Sequence, residues 1–162
     1  MTKEDSEYFS DVYERNADDL YRLCLIYMKN KYDAEEAVSE SFIRLMEARP
    51  EFENEGHEKA WLMKTAVNIC KNMHKSFWSK NVVSDEDVLK YMTCPEEVSI
   101  MEEVLALPPK YRMIIYLHYY HGYKAREISE MTGISTSAVL SRLARGRQKL
   151  KDIITEGGFS YV

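Results

Sequence analysis

Four cations, Arg142, Arg145, Arg147 and Lys149, fall within one short stretch near the end of the chain, interleaved with Ser137, Ser141, Ala144 and Gln148. Guanidinium and ammonium groups bind phosphate oxygens or acceptor-bearing base edges, and small side chains let a helix come close to a groove floor. At 100° per residue, Val139, Leu143, Gly146 and Leu150 share one narrow arc that must face a core. Ser137, Ser141, Ala144 and Gln148 lie opposite, flanked by Ala138, Arg142, Arg145 and Lys149 on one edge and by Leu140 and Arg147 on the other. Upstream, Ile128 and Met131 give the inner face of a short helix starting near Lys124, Thr132-Gly133 breaks it, and Ser135 caps the next. The pattern is a helix-turn-helix whose second helix reads DNA. A solvated basic helix has a similar composition, but the short linker with small Ser129 and Gly133 favours the DNA reader.

A second basic set lies earlier. Lys64, Lys71 and Lys75 share one flank of a helix at i, i+7 and i+11, with Asn68 and Asn72 alongside and Trp61, Phe77 and Trp78 nearby. Lysines with aromatic neighbours can hold a strand backbone and stack its bases, although Trp61 serves equally well as a core residue. Metal chemistry finds too few ligands. His118 and His121 form HxxH, and Cys70 and His74 stand at i, i+4, but neither pair has a third or fourth partner nearby. No nucleophile-and-base constellation appears, so neither a cofactor nor catalysis is expected.

The net charge of −5 hides a division along the chain: residues 1–58 carry 7 basic against 16 acidic side chains, 59–84 carry 5 Lys and no acid, and 110–151 carry 9 basic against 2 acidic. Two basic segments separated by acid suit a protein that touches nucleic acid twice and another protein elsewhere. At 162 residues the chain can form one ordinary domain or two small ones. No apolar run long enough for a membrane span and no leader pattern appear, so a cytoplasmic protein is expected. Cys24, Cys70 and Cys94 are odd in number and outside any CxxC pair, which reads as buried thiols.

The positioning elements are helical throughout. Phe9, Val12, Tyr13, Leu20, Leu23, Cys24, Tyr27 and Met28 recur at three- and four-residue spacing, giving one or two helices between Glu4 and Lys29. Asp33 is expected to cap a helix through Ala37, Val38, Phe42, Leu45 and Met46, with Glu36 completing a capping box and an acidic outer face. Arg49-Pro50 ends it, a polar loop follows, and Trp61 is expected to open the helix that continues through Leu62, Ala66, Ile69 and Met73.

The segments DAEEAVSESFIRLME, AWLMKTAVNICKNMHK and LPPKYRMIIYLHYYHGYKAREISEMTGISTSAVLSRLARGRQKL, in this order, resemble the extracytoplasmic-function sigma factors of bacterial RNA polymerase. The resemblance covers nearly the whole chain. It implies an all-α protein of two small helical domains, residues 1–80 and 97–157, joined by a flexible acidic linker at 81–96 that threads the polymerase's product channel. It further implies core polymerase binding through Asp33, Glu36, Glu40 and Phe42. Contact with the melted minus-ten element would fall to Asn54, His57, Trp61, Lys64, Asn68, Lys71 and Lys75, with Asn54 and His57 reading a flipped base. Contact with the minus-35 element would fall to Lys124, Ser137, Ala138, Ser141, Arg142, Arg145 and Lys149. The implied partners are bacterial core RNA polymerase and promoter DNA, with an anti-sigma factor as a further candidate. The alternative from the residues is a stand-alone helix-turn-helix regulator, in which Asp33 to Lys80 form an effector or dimerisation bundle.

Overall fold

Thr2 and Asp5 cap one another at the chain's start: Thr2 Oγ1 accepts the Asp5 N–H at 3.1 Å and Asp5 Oδ2 accepts the Thr2 N–H at 3.2 Å. The backbone hydrogen bond from Thr2 is the main reason the Asp5 carboxyl sits below its usual value. The computed structural model describes residues 1–73 with their side chains, the helical backbone of 74–76, Val88, Lys90 and residues 101–156. From the Thr2 cap, α1 runs unbroken as one helix over Lys3–Met28. Lys29 ends it in the left-handed region at φ 51°.

Asn30 then takes extended backbone and its Oδ1 accepts the Asp33 N–H at 2.9 Å, capping α2, Lys31–Ala48. The expected Asp33 cap is corrected by this geometry. Asn30 is the first residue after the reversal with the extended backbone a cap needs, and Asp33 falls inside the first turn, where its charge meets the helix dipole. Arg49, left-handed at φ 45°, closes α2 before Pro50.

The next helix, α3, spans Glu55–Ser76 and so begins six residues before Trp61, a second correction. Asn54 is its cap: Oδ1 accepts the His57 N–H at 2.8 Å and the Asn54 carbonyl accepts the Glu58 N–H at 3.2 Å. The first turn carries Glu55 and Glu58, which suit a helix N-terminus but conceal it from a reading based on apolar periodicity.

The chain divides between Val82 and Val83 into two compact units. In the first, α1, α2 and α3 pack on one another around Leu20, Leu23, Cys24, Ala34, Ala37, Leu45, Leu62, Met63, Ala66 and Cys70, all nearly or wholly buried. Alanines at 34, 37 and 66 let the helices approach closely. Cys24 and Cys70 meet across α1 and α3. Their hydrogen bond, with burial second, pushes the Cys24 thiol well above its ordinary value, which keeps it protonated and unreactive. Cys94 lies outside the described residues, as do the linker expected at 81–96 (Val88 and Lys90 aside), Phe77 and Trp78.

In the second unit α4 (Met101–Leu105), α5 (Pro109–Tyr119), α6 (Ala125–Thr132) and α7 (Thr136–Glu156) share a core of Met101, Leu105, Leu107, Ile114, Ile115, Ile128, Val139 and Leu143. Arg112 is buried beneath α4 and donates to the carbonyls of Leu105 and Leu107 at 3.3 and 2.9 Å. His118 donates from Nδ1 to the Tyr123 carbonyl at 2.8 Å across the turn that Gly122 makes at φ 73°, and the His121 ring packs edge-on against Tyr116. Both histidines of the HxxH pair thus shape the end of α5. The described residues are helices and connections without a strand, and none of these helices is long and apolar enough to cross a membrane.

Candidate nucleic-acid interface

The second unit presents its reader through a tight turn. Gly133 ends α6 at φ 76°, its N–H bonding the Ser129 carbonyl at 3.0 Å, and Ser129 Oγ donates to the Ile134 carbonyl at 2.6 Å. Ser135 Oγ then accepts the Ala138 N–H at 3.1 Å and starts α7. Val139, Leu143 and Gly146 are buried, which turns Ser137, Ser141, Ala144, Arg145, Gln148 and Lys149 outward. Ala138 and Arg142 are half-buried at the edge. Lys124 is exposed at the start of α6, its N–H donating to Glu127 Oε1 at 3.0 Å.

Gly146 sets how closely α7 can lie on α5. A Cβ there would stand 3.0 Å from Ile115 Cγ1 and 3.1 Å from its Cδ1, so a larger residue would lift the reader from its support. Beside this contact, Lys110 and Lys149 place their ammonium groups 5.0 and 5.7 Å from the centre of the Tyr111 ring. Burial alone would raise the Tyr111 hydroxyl, but the charge of Lys110 and the hydrogen bond and charge of Arg145 bring it below the usual phenol value. Tyr111 therefore gathers three cations beside the middle of α7. On the other edge, Arg147 donates to the Tyr119 hydroxyl at 3.1 Å. Tyr111 escaped the sequence reading because two of the cations it collects, Arg145 and Lys149, sit on a different helix.

In the first unit, Asn54 and His57 stand together, both exposed, but neither is wholly free to read a base. Asn54 Oδ1 is committed to the cap, leaving Nδ2 as a donor, and His57 Nδ1 accepts the Glu53 N–H at 3.2 Å, which puts the proton of a neutral ring on Nε2. Phe52 meets His57 edge-on at 5.2 Å and Trp61 at 6.1 Å, so Trp61 supports the loop from below. Trp61 also lines a groove of about 420 Å³ with Arg44, Glu47, Ala48, Thr65 and Asn68. It is half-buried, with its ring against Phe52 and part of its surface open to this groove. Lys64 is exposed, Lys71 half-buried and Asn72 exposed, while the side chain of Lys75 lies outside the described residues.

The outer face of α2 carries Glu35, Glu36, Ser39 and Glu47 exposed, with Glu40 half-exposed and 3.4 Å from Arg44. Asp33 is half-buried in the first turn. Phe42 is placed differently from these acids: it is 8% exposed and its ring packs against Tyr13 at 4.9 Å, so it holds α2 on α1. The sequence reading missed the apolar part of this face. Tyr32, Ile43 and Met46 are 68%, 43% and 37% exposed among the acids, a signal available in the helical wheel but overshadowed there by the charges. It also missed Arg15, Asn16 and buried Glu58, which meet across α1 and α3 below the Asn54 loop.

Two family descriptions match the chain: sigma-70 region 2 over residues 12–79 and sigma-70 region 4 over residues 97–150. The ECF RNA polymerase sigma factor SigW of Bacillus subtilis is 27% identical over 170 aligned residues, covering 93% of this chain and 91% of that protein. The RNA polymerase sigma factor SigV of the same organism is 28% identical, covering 88% of each. In fold, the chain is similar to the sigma factor RpoE solved in complex with the anti-sigma factor NepR from Bartonella quintana, with a TM-score of 0.66, 17% identity and coverage of 95% and 98%. CnrH, solved in complex with the cytosolic domain of CnrY, has a TM-score of 0.66 at 18% identity, with coverage of 93% and 90%. The helix-turn-helix on one unit, the acid-faced three-helix bundle on the other and these matches lead to one conclusion: the chain belongs to the sigma-70 family, as an RNA polymerase sigma factor of the extracytoplasmic-function type.

Proposed function

We propose that the chain binds bacterial core RNA polymerase through α2, reads and holds the melted minus-ten element through α3 and its preceding loop, and reads the minus-35 element through α7. The carrying observation is that the acid-and-apolar face of α2 and the basic face of α7 lie on separately folded units, since acid within a DNA face would repel phosphate. Glu36, Glu40 and their apolar neighbours Ile43 and Met46 form the polymerase face, with Asp33 and Phe42 fixing the helix that carries it. Asn54, His57, Trp61, Lys64, Asn68, Lys71 and Lys75 serve the melted strand. Lys124, Ser137, Ala138, Ser141, Arg142, Arg145 and Lys149 serve the distal duplex.

The domain assignment that goes with this reading is 1–80 for polymerase and minus-ten contact, 81–96 as a linker, and 97–157 for minus-35 contact. The protein directs an enzyme and is not one itself, and it works in the cytoplasm where polymerase and chromosome meet. The solved complex of the sigma factor RpoE with the anti-sigma factor NepR favours an anti-sigma factor as a further partner.

Run-off transcription with holoenzyme reconstituted from this chain and core polymerase, followed by sequencing of the promoters used, tests the reading. Specific initiation that depends on both elements is expected. Binding to the distal duplex without any association with core polymerase would return the chain to a stand-alone regulator.

A further inference from the structure

Glu58 is 5% exposed, and it is held by partners on another helix. Arg15 Nη2 donates to both carboxylate oxygens at 3.1 Å, Arg15 Nε reaches Oε1 at 3.3 Å, and Asn16 Nδ2 donates to Oε1 at 3.0 Å. Asn16 is itself buried, its amide also donating to the Val12 carbonyl at 2.9 Å. Arg15 further approaches Glu55 at 3.7 Å. One turn along, Lys59 of α3 pairs with Asp19 of α1.

The bonds to Glu58 and Glu55 reach the first turn of α3, where Asn54 and His57 are fixed. The Glu58 N–H donates to the Asn54 carbonyl, and Glu58, Asn54, Phe52 and Tyr8 line one cavity of about 530 Å³ with Pro50, Glu51 and Glu55. A bidentate guanidinium fixes both the position and the plane of a carboxylate, which a point charge cannot do. A buried carboxylate that lost this partner would have to rearrange or take up a proton. The Tyr8 hydroxyl, on the same cavity, is raised by burial and then by the charge of Glu58.

We infer that Arg15, with Asn16, is a positioning residue for minus-ten base selection: acting through Glu58, it holds the first turn of α3 so that the Asn54 and His57 donors are set before the melted strand arrives. The inference rests on the proposed reading of the Asn54 loop. Donors fixed in advance discriminate between bases because a wrong edge leaves them unpaired, whereas donors on a loose loop can shift to accommodate it.

The test uses the full chain in three forms, wild type, Arg15→Lys and Glu58→Gln, alone and as holoenzyme with core polymerase. Arg15→Lys keeps the charge and loses the fork, and Glu58→Gln keeps the size and loses the charge, so both are milder than truncation. Alone, amide hydrogen exchange at residues 53–58 should accelerate about tenfold in each variant, with the middle of α2 unchanged. As holoenzyme, abortive initiation is compared on the preferred promoter and on promoters substituted singly in the melted element. The preference between them should fall about tenfold in each variant, while affinity for core polymerase changes less than about twofold. A preference as sharp as wild type in both variants overturns the inference, as does an equal loss on every promoter. If wild-type holoenzyme is indifferent to substitutions there, the proposed loop function is itself wrong, and the exchange data still decide separately whether Arg15 holds the loop.

Discussion

The side chain of Asn54 accepts the His57 N–H at 2.8 Å, joining the cap of α3 to a candidate base reader one turn away. Capping and reading use different atoms of the same amide, so substitution can separate them. Asn54→Asp keeps an oxygen for the cap and should leave stability within about 0.5 kcal/mol, while removing the Nδ2 donor and changing which bases are preferred in the melted element. Asn54→Ala removes the cap as well and should cost about 0.5–2 kcal/mol in thermal or urea unfolding. Unaltered base preference in Asn54→Asp would remove Asn54 from the readers.

The acid-and-apolar face of α2 predicts a different separation. Glu36→Lys with Glu40→Lys reverses exposed charges, one of them in an i,i+4 pair with Arg44 of a kind worth only about 0.3–0.5 kcal/mol, so the fold should survive. Binding to core polymerase, measured by competition, should be abolished. Ile43→Ala and Met46→Ala should each weaken it with little change in melting temperature, because both are well exposed in the free chain. Full binding by the double charge reversal would exclude this face.

On α7, base and phosphate contacts should differ in their salt and sequence dependence. Arg145→Ala should cost about 1–3 kcal/mol on the preferred minus-35 duplex and less on a scrambled one. Lys149→Ala should weaken binding to both alike and lower the salt slope by about one. Tyr111→Phe keeps the ring beneath Lys149 but removes the hydroxyl beside Arg145, and it should affect the preferred duplex alone. Titration at several salt concentrations distinguishes these outcomes, and equal losses on both duplexes for Arg145→Ala would make it a phosphate contact.

Gly133 and Gly146 of the second unit predict opposite kinds of damage. At Gly133 an added Cβ meets nothing within 4 Å, so Gly133→Ala should cost about 1–2 kcal/mol through its left-handed backbone alone, and Gly133→Asn less. At Gly146 the backbone is helical but Ile115 is in the way, so Gly146→Val should cost about 1–3 kcal/mol by overpacking. Pairing it with Ile115→Ala should recover part of that loss, which a double-mutant cycle in urea would measure.

The reader helix was legible because its information is local: Gly133, Ser135 and the arc of Val139, Leu143 and Gly146 lie close together in sequence and follow the helical period. The start of α3 was hidden because its first turn is polar and its cap, Asn54, looked like a free loop residue. Asp33 was mistaken for a cap because Asn and Asp cap alike, and the choice fell to the left-handed turn at Lys29, which periodicity does not reveal. The Arg15–Glu58 pair, 43 residues apart, and the approach of Arg145 and Lys149 to Tyr111 depend on helix packing and left no local trace.

The cluster around Tyr111 also bears on when disorder is lost. Lysine and arginine side chains on an isolated helix sample many rotamers, and a DNA complex that fixes them gives up about 0.5–1.5 kcal/mol for each. Here Lys149 already rests over the Tyr111 ring and Arg145 is drawn to its hydroxyl, so part of that entropy is surrendered when the unit folds. Three like charges are crowded together in the free protein, and an arriving phosphate relieves their repulsion while finding the side chains partly arranged. Under the proposed reading, association is then less sensitive to temperature through side-chain freezing and more sensitive to ionic strength through the stored repulsion, which would tie the middle of the helix to the rate of finding DNA as well as to holding it.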